Sequence, residues 1–115
     1  MKLEEVIEKI LKFRNDRDWE QFHNPKDLAI SLSIESGELL ECFQWKSSTE
    51  VEYLIQQGAG KDIKDEIADI GIYLLLLCHA TGVDFKEAVI SKLAKNERNY
   101  PVDKAKGNAK KYTKL

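Results

Sequence analysis

The chain has 115 residues, of which 43% are hydrophobic and 33% are charged, and this composition is typical of one folded domain rather than of a disordered chain. Its formal net charge of −2 gives no reason to expect binding to a nucleic acid polymer or to a membrane. The apolar run at residues 70–80 is shorter than the roughly 20 residues that span a bilayer, and no charged-then-apolar leader opens the chain. We therefore expect a cytoplasmic protein.

Helical spacing of the apolar residues predicts four main helices and no strand, so the expected fold class is all-α. The first helix covers about residues 3–17. The second follows the N-cap Asn24 and covers about residues 24–45. The third covers about residues 62–80, and the fourth begins at a capping box and covers about residues 84–96.

A connection is predicted between the second and third helices, at residues 47–60. It contains one short helical stretch, which begins at the capping-box pattern Thr49-x-x-Glu52. Residues 1–100 are predicted to form a single domain, and residues 101–115 to form a basic, loosely ordered tail.

The third helix is apolar on nearly every side from Ile67 onward. A helix without a polar face must be buried on several sides, and a four-helix bundle of this size offers few neighbours. The sequence therefore predicts a homo-oligomer in which subunits pack against one another along this helix.

Two pairs of acids are spaced three residues apart, Glu35 with Glu38 and Glu66 with Asp69. Helical positions i and i+3 are neighbours about 5–6 Å apart at Cβ, so each pair projects from one face. A solvated acidic face is the usual explanation for one such pair. If the two helices are adjacent, however, four partly buried carboxylates need a cation, because desolvation and repulsion would otherwise protonate them.

Oxygen-only ligands favour a hard ion, Mg²⁺ or Mn²⁺, and a magnesium site built from acids usually takes phosphate oxygens as further ligands. The histidine of the Glu-x-x-His motif in di-iron bundles is absent, because Glu38 and Asp69 stand at that position. Phosphate chemistry is therefore the leading functional hypothesis. Glu41 lies about 120° around the helix from Glu35, and either supports the ligands or pairs with a basic neighbour.

Five segments resemble the MazG-like all-α nucleoside triphosphate pyrophosphohydrolases, and within them the dCTP pyrophosphatase branch. The resemblance spans about residues 13–113. The segments are RDWEQFHNP at 17–25, ESGELLECFQWK at 35–46, DEIADIGIYLLLL at 65–77, KLAKNERNYP at 92–101 and KYT at 111–113.

The resemblance implies Mg²⁺ ligation by Glu35, Glu38, Glu66 and Asp69. It also implies that water attacks the α-phosphorus of a nucleoside triphosphate and releases the monophosphate and pyrophosphate. Similar proteins are homodimers or homotetramers. The candidate catalytic residues are Glu38, Glu66 and Glu41; the implied contacts to base and sugar are Trp19, His23, Trp45 and Tyr73, and those to the phosphates are Lys92, Asn96, Arg98 and Tyr100.

This chain departs from the family at two positions. Ile34 stands where some branches carry an extra acid, so the general base is Glu41, Asp65, or no dedicated side chain. Ile10 stands where some members of the dCTP branch have a histidine, which leaves open how strictly cytosine is selected.

The leading hypothesis is a Mg²⁺-dependent nucleoside triphosphate diphosphatase that acts on dCTP or modified dCTP in nucleotide-pool sanitation. One alternative keeps this chemistry but takes dUTP or a broad set of nucleotides. Another is a catalytically silent helical interaction module that retains the scaffold. For the two tryptophans and Tyr73, packing alone is the alternative to a contact with the substrate.

Overall fold

A computed structural model describes residues 1–58 and 60–115, and every regular element in these residues is helical. The all-α prediction is thus confirmed. No single helix in the described part is long and apolar enough to span a bilayer; the helices Gly60–Thr81 and Phe85–Asn99 meet the criteria of length and composition only when the two are counted together. The helices are α1 Leu3–Asp16, α2 Pro25–Glu41, α3 Ser48–Gln56, α4 Gly60–Thr81, α5 Phe85–Asn99 and α6 Val102–Ala105, with short 3-10 turns at Glu20–Phe22 and Tyr112–Lys114.

The chain divides into two compact units, Met1–Gly82 and Val83–Leu115. The predicted domain boundary at residue 100 stays a prediction.

Helix α2 begins as predicted and ends earlier than predicted. The side chain of Asn24 accepts a hydrogen bond from the backbone N–H of Asp27 at 2.9 Å, which confirms the N-cap. After Glu41 the backbone N–H of Phe43 bonds to the carbonyl of Leu40, only three residues back, at 3.0 Å. Trp45 then adopts a φ of 65°, so the α-helix cannot continue to this residue as predicted.

Helix α3 begins at a different cap from the predicted one. The Oγ atom of Ser47 accepts a hydrogen bond from the backbone N–H of Glu50 at 3.1 Å, and Thr49 lies inside the first turn. The prediction of Thr49 as the cap was wrong, because Ser47-x-x-Glu50 satisfies the same pattern two residues earlier. Ala59, in the predicted connection, lies outside the described residues.

The first unit is organised around α4, which packs along α2 and also contacts α1. Among the described residues, its buried apolar side chains are Leu28, Ile63 and Leu76, of which Leu28 is fully buried. Many large apolar side chains of this unit are instead exposed in the single chain, including Phe13, Ile30, Ile34, Leu40, Trp45, Tyr53, Ile55, Ile67 and Ile72.

The second unit begins at a confirmed N-cap, where the side chain of Asp84 accepts a hydrogen bond from the backbone N–H of Glu87 at 3.0 Å. Helix α5 continues to Asn99, three residues beyond the predicted end. Tyr100 then contacts Tyr112 edge to face, with ring centroids 6.0 Å apart. This contact joins the end of α5 to the C-terminal segment.

Candidate functional site

Three carboxylates meet where α2 packs along α4. Glu35 and Glu38 project from α2 and Glu66 from α4, and one carboxylate oxygen from each lies within 4.8 Å of the others. The spacing of three residues places the two acids of α2 on one face, and the helix packing brings that face against Glu66. The structure thus brings together three of the four predicted metal ligands.

The electrostatics of this cluster are unfavourable for three negative charges. Burial raises the pKa of Glu35 from 4.5 to about 7, aided by hydrogen bonds that its protonated form makes to Glu38 and Glu66 and by the neighbouring charges. The pKa of Glu66 is also raised, chiefly by burial. The Oε2 atoms of Glu35 and Glu66 are buried, and neither has a hydrogen-bond partner in the described part of the chain.

These residues fit a hard divalent cation. Two buried oxygens without a donor, held beside a third carboxylate, form an acceptor-only site that requires positive charge. Carboxylate oxygens are the ligands that Mg²⁺ and Mn²⁺ prefer in proteins. The acidic cluster therefore has the ligand chemistry to hold a divalent metal ion.

Asp69 lies beside the cluster rather than within the three-oxygen group. It follows Glu66 by one turn of α4, and its charge helps to raise the pKa of both Glu35 and Glu66. Asp69 also lines a cavity of about 230 Å³ between α1 and α4. The carboxylate cluster and the cavity therefore adjoin through one residue.

The cavity is mainly apolar and aromatic. Its volume of about 230 Å³ is below the roughly 300–1,000 Å³ of pockets that hold a drug-sized ligand, so it suits one ring system rather than a whole nucleotide. It is lined by Ile10, Phe13, Arg14, Trp19, His23, Asp69, Ile72, Tyr73 and Leu76.

Aromatic edges define the wall of the cavity. The His23 ring lies between Trp19 and Tyr73, with centroid distances of 6.5 and 6.4 Å, and Trp19 in turn meets Phe13 at 5.7 Å. The Nδ1 atom of His23 is buried without a hydrogen-bond partner in the described part of the chain. Burial, and then the charge of Arg14, lowers the pKa of His23, so its imidazole is neutral at pH 7.

Other predicted site residues lie elsewhere. Trp45 is 92% exposed and does not line the cavity, and Glu41 is exposed at the end of α2, outside the three-oxygen group. The four predicted phosphate contacts belong to the second unit. Of these, Lys92 and Arg98 are exposed, whereas Asn96 and Tyr100 are half-buried.

Sequence reasoning missed Arg14. This residue lines the cavity and is only 5% exposed, although arginine is rarely buried without a partner. A signal was available, because Arg14 follows Ile10 by four residues and so falls on the apolar face of α1. Ile10 lines the same cavity.

Comparison with known proteins identifies the family. The sequence profile of the MazG-like family matches residues 30–115. dCTP pyrophosphatase 1 of Mus musculus is 43% identical over 98% of this chain and 67% of its own length, and that of Homo sapiens is 40% identical over the same shares. The crystal structure of a pyrophosphatase from Archaeoglobus fulgidus superposes with a TM-score of 0.80 and 46% identity, covering 86% of this chain and 92% of that one. The chain belongs to the MazG-like family.

Proposed function

We propose that this protein is a nucleoside triphosphate pyrophosphohydrolase that converts dCTP, or dCTP modified on the base, to the monophosphate and pyrophosphate. The observation that carries the proposal is the carboxylate cluster of Glu35, Glu38 and Glu66 beside an aromatic cavity that shares Asp69. The names of the similar proteins, dCTP pyrophosphatase and pyrophosphatase, support this activity and substrate. Removal of surplus or modified nucleotides from the cellular pool is the role that such an activity serves.

Mg²⁺ is the proposed cofactor, and Mn²⁺ is a second ion with the same ligand preference. Glu35, Glu38, Glu66 and Asp69 would hold it. When bound, such an ion neutralises charge on the triphosphate and aligns the attacking and leaving oxygens. The two buried Oε2 atoms in this set support the assignment, because they need a positive partner in the resting protein.

The protein's own groups orient the nucleotide. The cavity would hold the base between the rings of Trp19, His23 and Tyr73, and stacking of a base on an aromatic side chain is worth roughly 1–3 kcal/mol. Because Asp69 lines this cavity and lies one turn from Glu66, a base bound there would have its phosphates on the side of the carboxylates.

Glu41 is the proposed acceptor of the proton from the attacking water. It follows Glu38 by three residues and therefore neighbours the carboxylate cluster on α2. Asp65 is the other candidate. It precedes Glu66 directly, and adjacent helical residues do not share a face, which favours Glu41.

Four residues of the segment 92–101 are the proposed phosphate contacts. Lys92 and Arg98 carry N–H donors that can form charge-assisted hydrogen bonds to phosphate oxygens, and Asn96 and Tyr100 add uncharged donors. These four assignments rest on the resemblance of residues 92–101.

Self-association is proposed as well, as a homodimer or homotetramer. The exposed apolar side chains of α2 and α4, such as Leu40 at 69% and Ile67 at 57%, support it because a monomer would leave them in water. Trp45, which is 92% exposed, is available to a neighbouring copy. The cytoplasmic location stays a prediction.

The proposed activity is tested by incubating the protein with each common nucleotide and Mg²⁺, and by identifying the products. We expect dCMP and pyrophosphate from dCTP, with slower turnover of dUTP and dTTP. Release of orthophosphate, or absence of turnover for every nucleotide with Mg²⁺ and with Mn²⁺, would refute the proposal. Equal rates for all bases would instead favour the broad-specificity alternative.

A further inference from the structure

Arg14 is a buried cation on the wall of the cavity. Its side chain is 6% exposed, and the residue lines the cavity. In the described part of the chain, no carboxylate lies within hydrogen-bonding distance of its guanidinium. Its Nη2 atom lies 3.9 Å from Oε2 of Glu20, a carboxylate whose side chain is 72% exposed. An ion pair with this distance between its charged atoms and with one partner this exposed to solvent contributes little to stability.

The hydrogen bonds of Arg14 leave donors available. Its Nε atom donates to Oδ1 of Asn15 at 3.0 Å. A guanidinium has five N–H donors in a fixed planar fork, and no hydrogen bond from Nη1 or Nη2 to an acceptor is found within residues 1–58 and 60–115. Neither Nη atom is among the buried polar atoms without a partner, so water reaches them in the free protein, and a ligand with acceptor atoms can replace that water.

Arg14 stands on the cavity wall beside the aromatic rings. Its charge acts on His23, whose ring lies between Trp19 and Tyr73. Ile10 and Phe13, the other cavity-lining residues of α1, cannot hydrogen-bond through their side chains. Within α1, the polar recognition of a ring bound in this cavity therefore falls to Arg14.

We infer that Arg14 determines base specificity, by donating two N–H groups to adjacent acceptors on the edge of the pyrimidine held in the cavity. The inference rests on the proposed function and deepens it. Cytosine presents O2 and N3 as neighbouring acceptors, a match for the arginine fork like that of O6 and N7 of guanine. Uracil and thymine carry a donor N–H at N3, which would face the guanidinium without a partner.

The experiment compares dCTP with 3-deaza-dCTP, in which a C–H group replaces the N3 acceptor. For the wild-type protein with Mg²⁺, we expect kcat/KM for 3-deaza-dCTP to be roughly 10- to 100-fold lower, the value of one hydrogen bond to a charged donor. The loss should lie mainly in KM, because the contact binds the base rather than the reacting phosphate. Equal kcat/KM values for the two nucleotides would overturn the inference.

Two variants assign the effect to Arg14. Arg14→Met keeps an unbranched apolar stem and removes the donors, and Arg14→Lys keeps the charge and removes the fork. In both we expect the preference for dCTP over 3-deaza-dCTP to shrink, to near unity for Met. Retention of the wild-type preference in either folded variant contradicts the inference, so Arg14→Lys decides the matter if Arg14→Met does not fold.

Lys12→Met is the matched control. Lys12 also lies on α1, is 76% exposed and pairs with Asp16, so its substitution removes one positive charge away from the cavity. We expect its nucleotide preference to equal that of the wild type.

A purely structural role for Arg14 would produce a different pattern. It would lower the melting temperature and reduce activity toward every nucleotide equally, with unchanged ratios between them. Equal ratios in Arg14→Met and the wild type would therefore exclude a specificity role even if activity fell.

Failure of the proposed function is separable from failure of this inference. If the wild type hydrolyses no nucleotide, calorimetric binding of dCMP and of 3-deaza-dCMP still measures recognition of the base. Tighter binding of dCMP to the wild type, lost in Arg14→Lys, supports Arg14 without turnover, whereas equal binding overturns the inference.

Discussion

Glu35 on α2 and Glu66 on α4 face each other with carboxylate oxygens within 4.8 Å. Each has a buried Oε2 atom that meets no hydrogen-bond donor among residues 1–58 and 60–115. Burial raises the pKa of both groups. A pair like this is stable with a proton or a cation between its members and unstable with neither, because two desolvated negative charges repel.

Divalent cations should stabilise the fold through this pair. We expect Mg²⁺ to raise the melting temperature relative to EDTA, since a ligand at about 100 times its Kd contributes roughly 2.7 kcal/mol. Glu35→Gln should melt at a higher temperature than the wild type in EDTA, because one buried charge is gone, and should respond far less to Mg²⁺. Thermal unfolding followed by circular dichroism makes the measurement.

Glu8→Gln serves as the control for that comparison, because Glu8 is exposed on α1. It should behave like the wild type with and without Mg²⁺. A wild-type melting temperature that is insensitive to both Mg²⁺ and Mn²⁺ would contradict the metal site.

The metal-free protein should lose stability as the pH rises. The pKa of Glu35 is about 7 in the folded protein and 4.5 in the reference state, so the folded protein binds more protons between these values. The contribution of Glu35 to the free energy of unfolding is therefore largest below pH 4.5, and it is lost as the pH rises through about 7. Urea unfolding in EDTA between pH 5 and 8 should show the decline, and Glu35→Gln should flatten it.

Substitution of Asp69 should abolish activity without unfolding the protein. Asp69→Asn removes a charge beside the cluster, and we expect a fall in kcat/KM of several orders of magnitude, with helical content and melting temperature near those of the wild type. Asp62→Asn, at the exposed start of the same helix, is the matched control and should stay active. Comparable activity in both variants would remove Asp69 from the proposed site.

Glu41→Gln tests the proposed proton acceptor. Loss of a general base typically costs about 10²- to 10⁴-fold in rate, so we expect kcat to fall by that factor while KM and the Mg²⁺-dependent stabilisation are kept. The variant should also lose the acidic limb of the pH–rate profile. Asp65→Asn should retain most of the activity; the reverse pattern would transfer the role to Asp65.

The apolar face of α4 should hold subunits together. We expect light scattering to give the mass of a dimer or tetramer at low micromolar concentration. Ile67→Glu places a charge at a side chain that is 57% exposed in the single chain, and it should shift the mass toward the monomer. Lys64→Glu, on an exposed position of the same helix, should leave the mass unchanged, and a stable wild-type monomer would disprove the assembly.

Local sequence signals predicted the helices and their starts well. The caps at Asn24 and Asp84 were readable because each satisfies a backbone N–H three residues later through its own side chain. The two carboxylate pairs were also predictable from the sequence, because a spacing of three residues on a helix places both acids of a pair on one face. Whether acids from the two pairs lie close together depends on the packing of α2 along α4. The sequence supported that packing only through the resemblance to the MazG-like family.

The features that sequence reasoning missed depend on tertiary context or on a choice between equal local signals. Ser47 and Thr49 offer the same capping pattern, and nothing local distinguishes them. The backbone of Trp45 has a positive φ of 65°, which is unusual for a bulky residue. The burial of Arg14 required knowing that Trp19 and His23, which flank the 3-10 turn, line the same cavity as this residue of α1.

Asp69 belongs both to the surroundings of the carboxylates and to the wall that would hold the base. Retargeting this enzyme to another nucleotide by altering the wall near Asp69 would therefore disturb the reactive end as well, and combined substitutions should depart from additivity. Arg14 and Ile10, one helix away from that shared side chain, are the safer positions for an engineer to vary first.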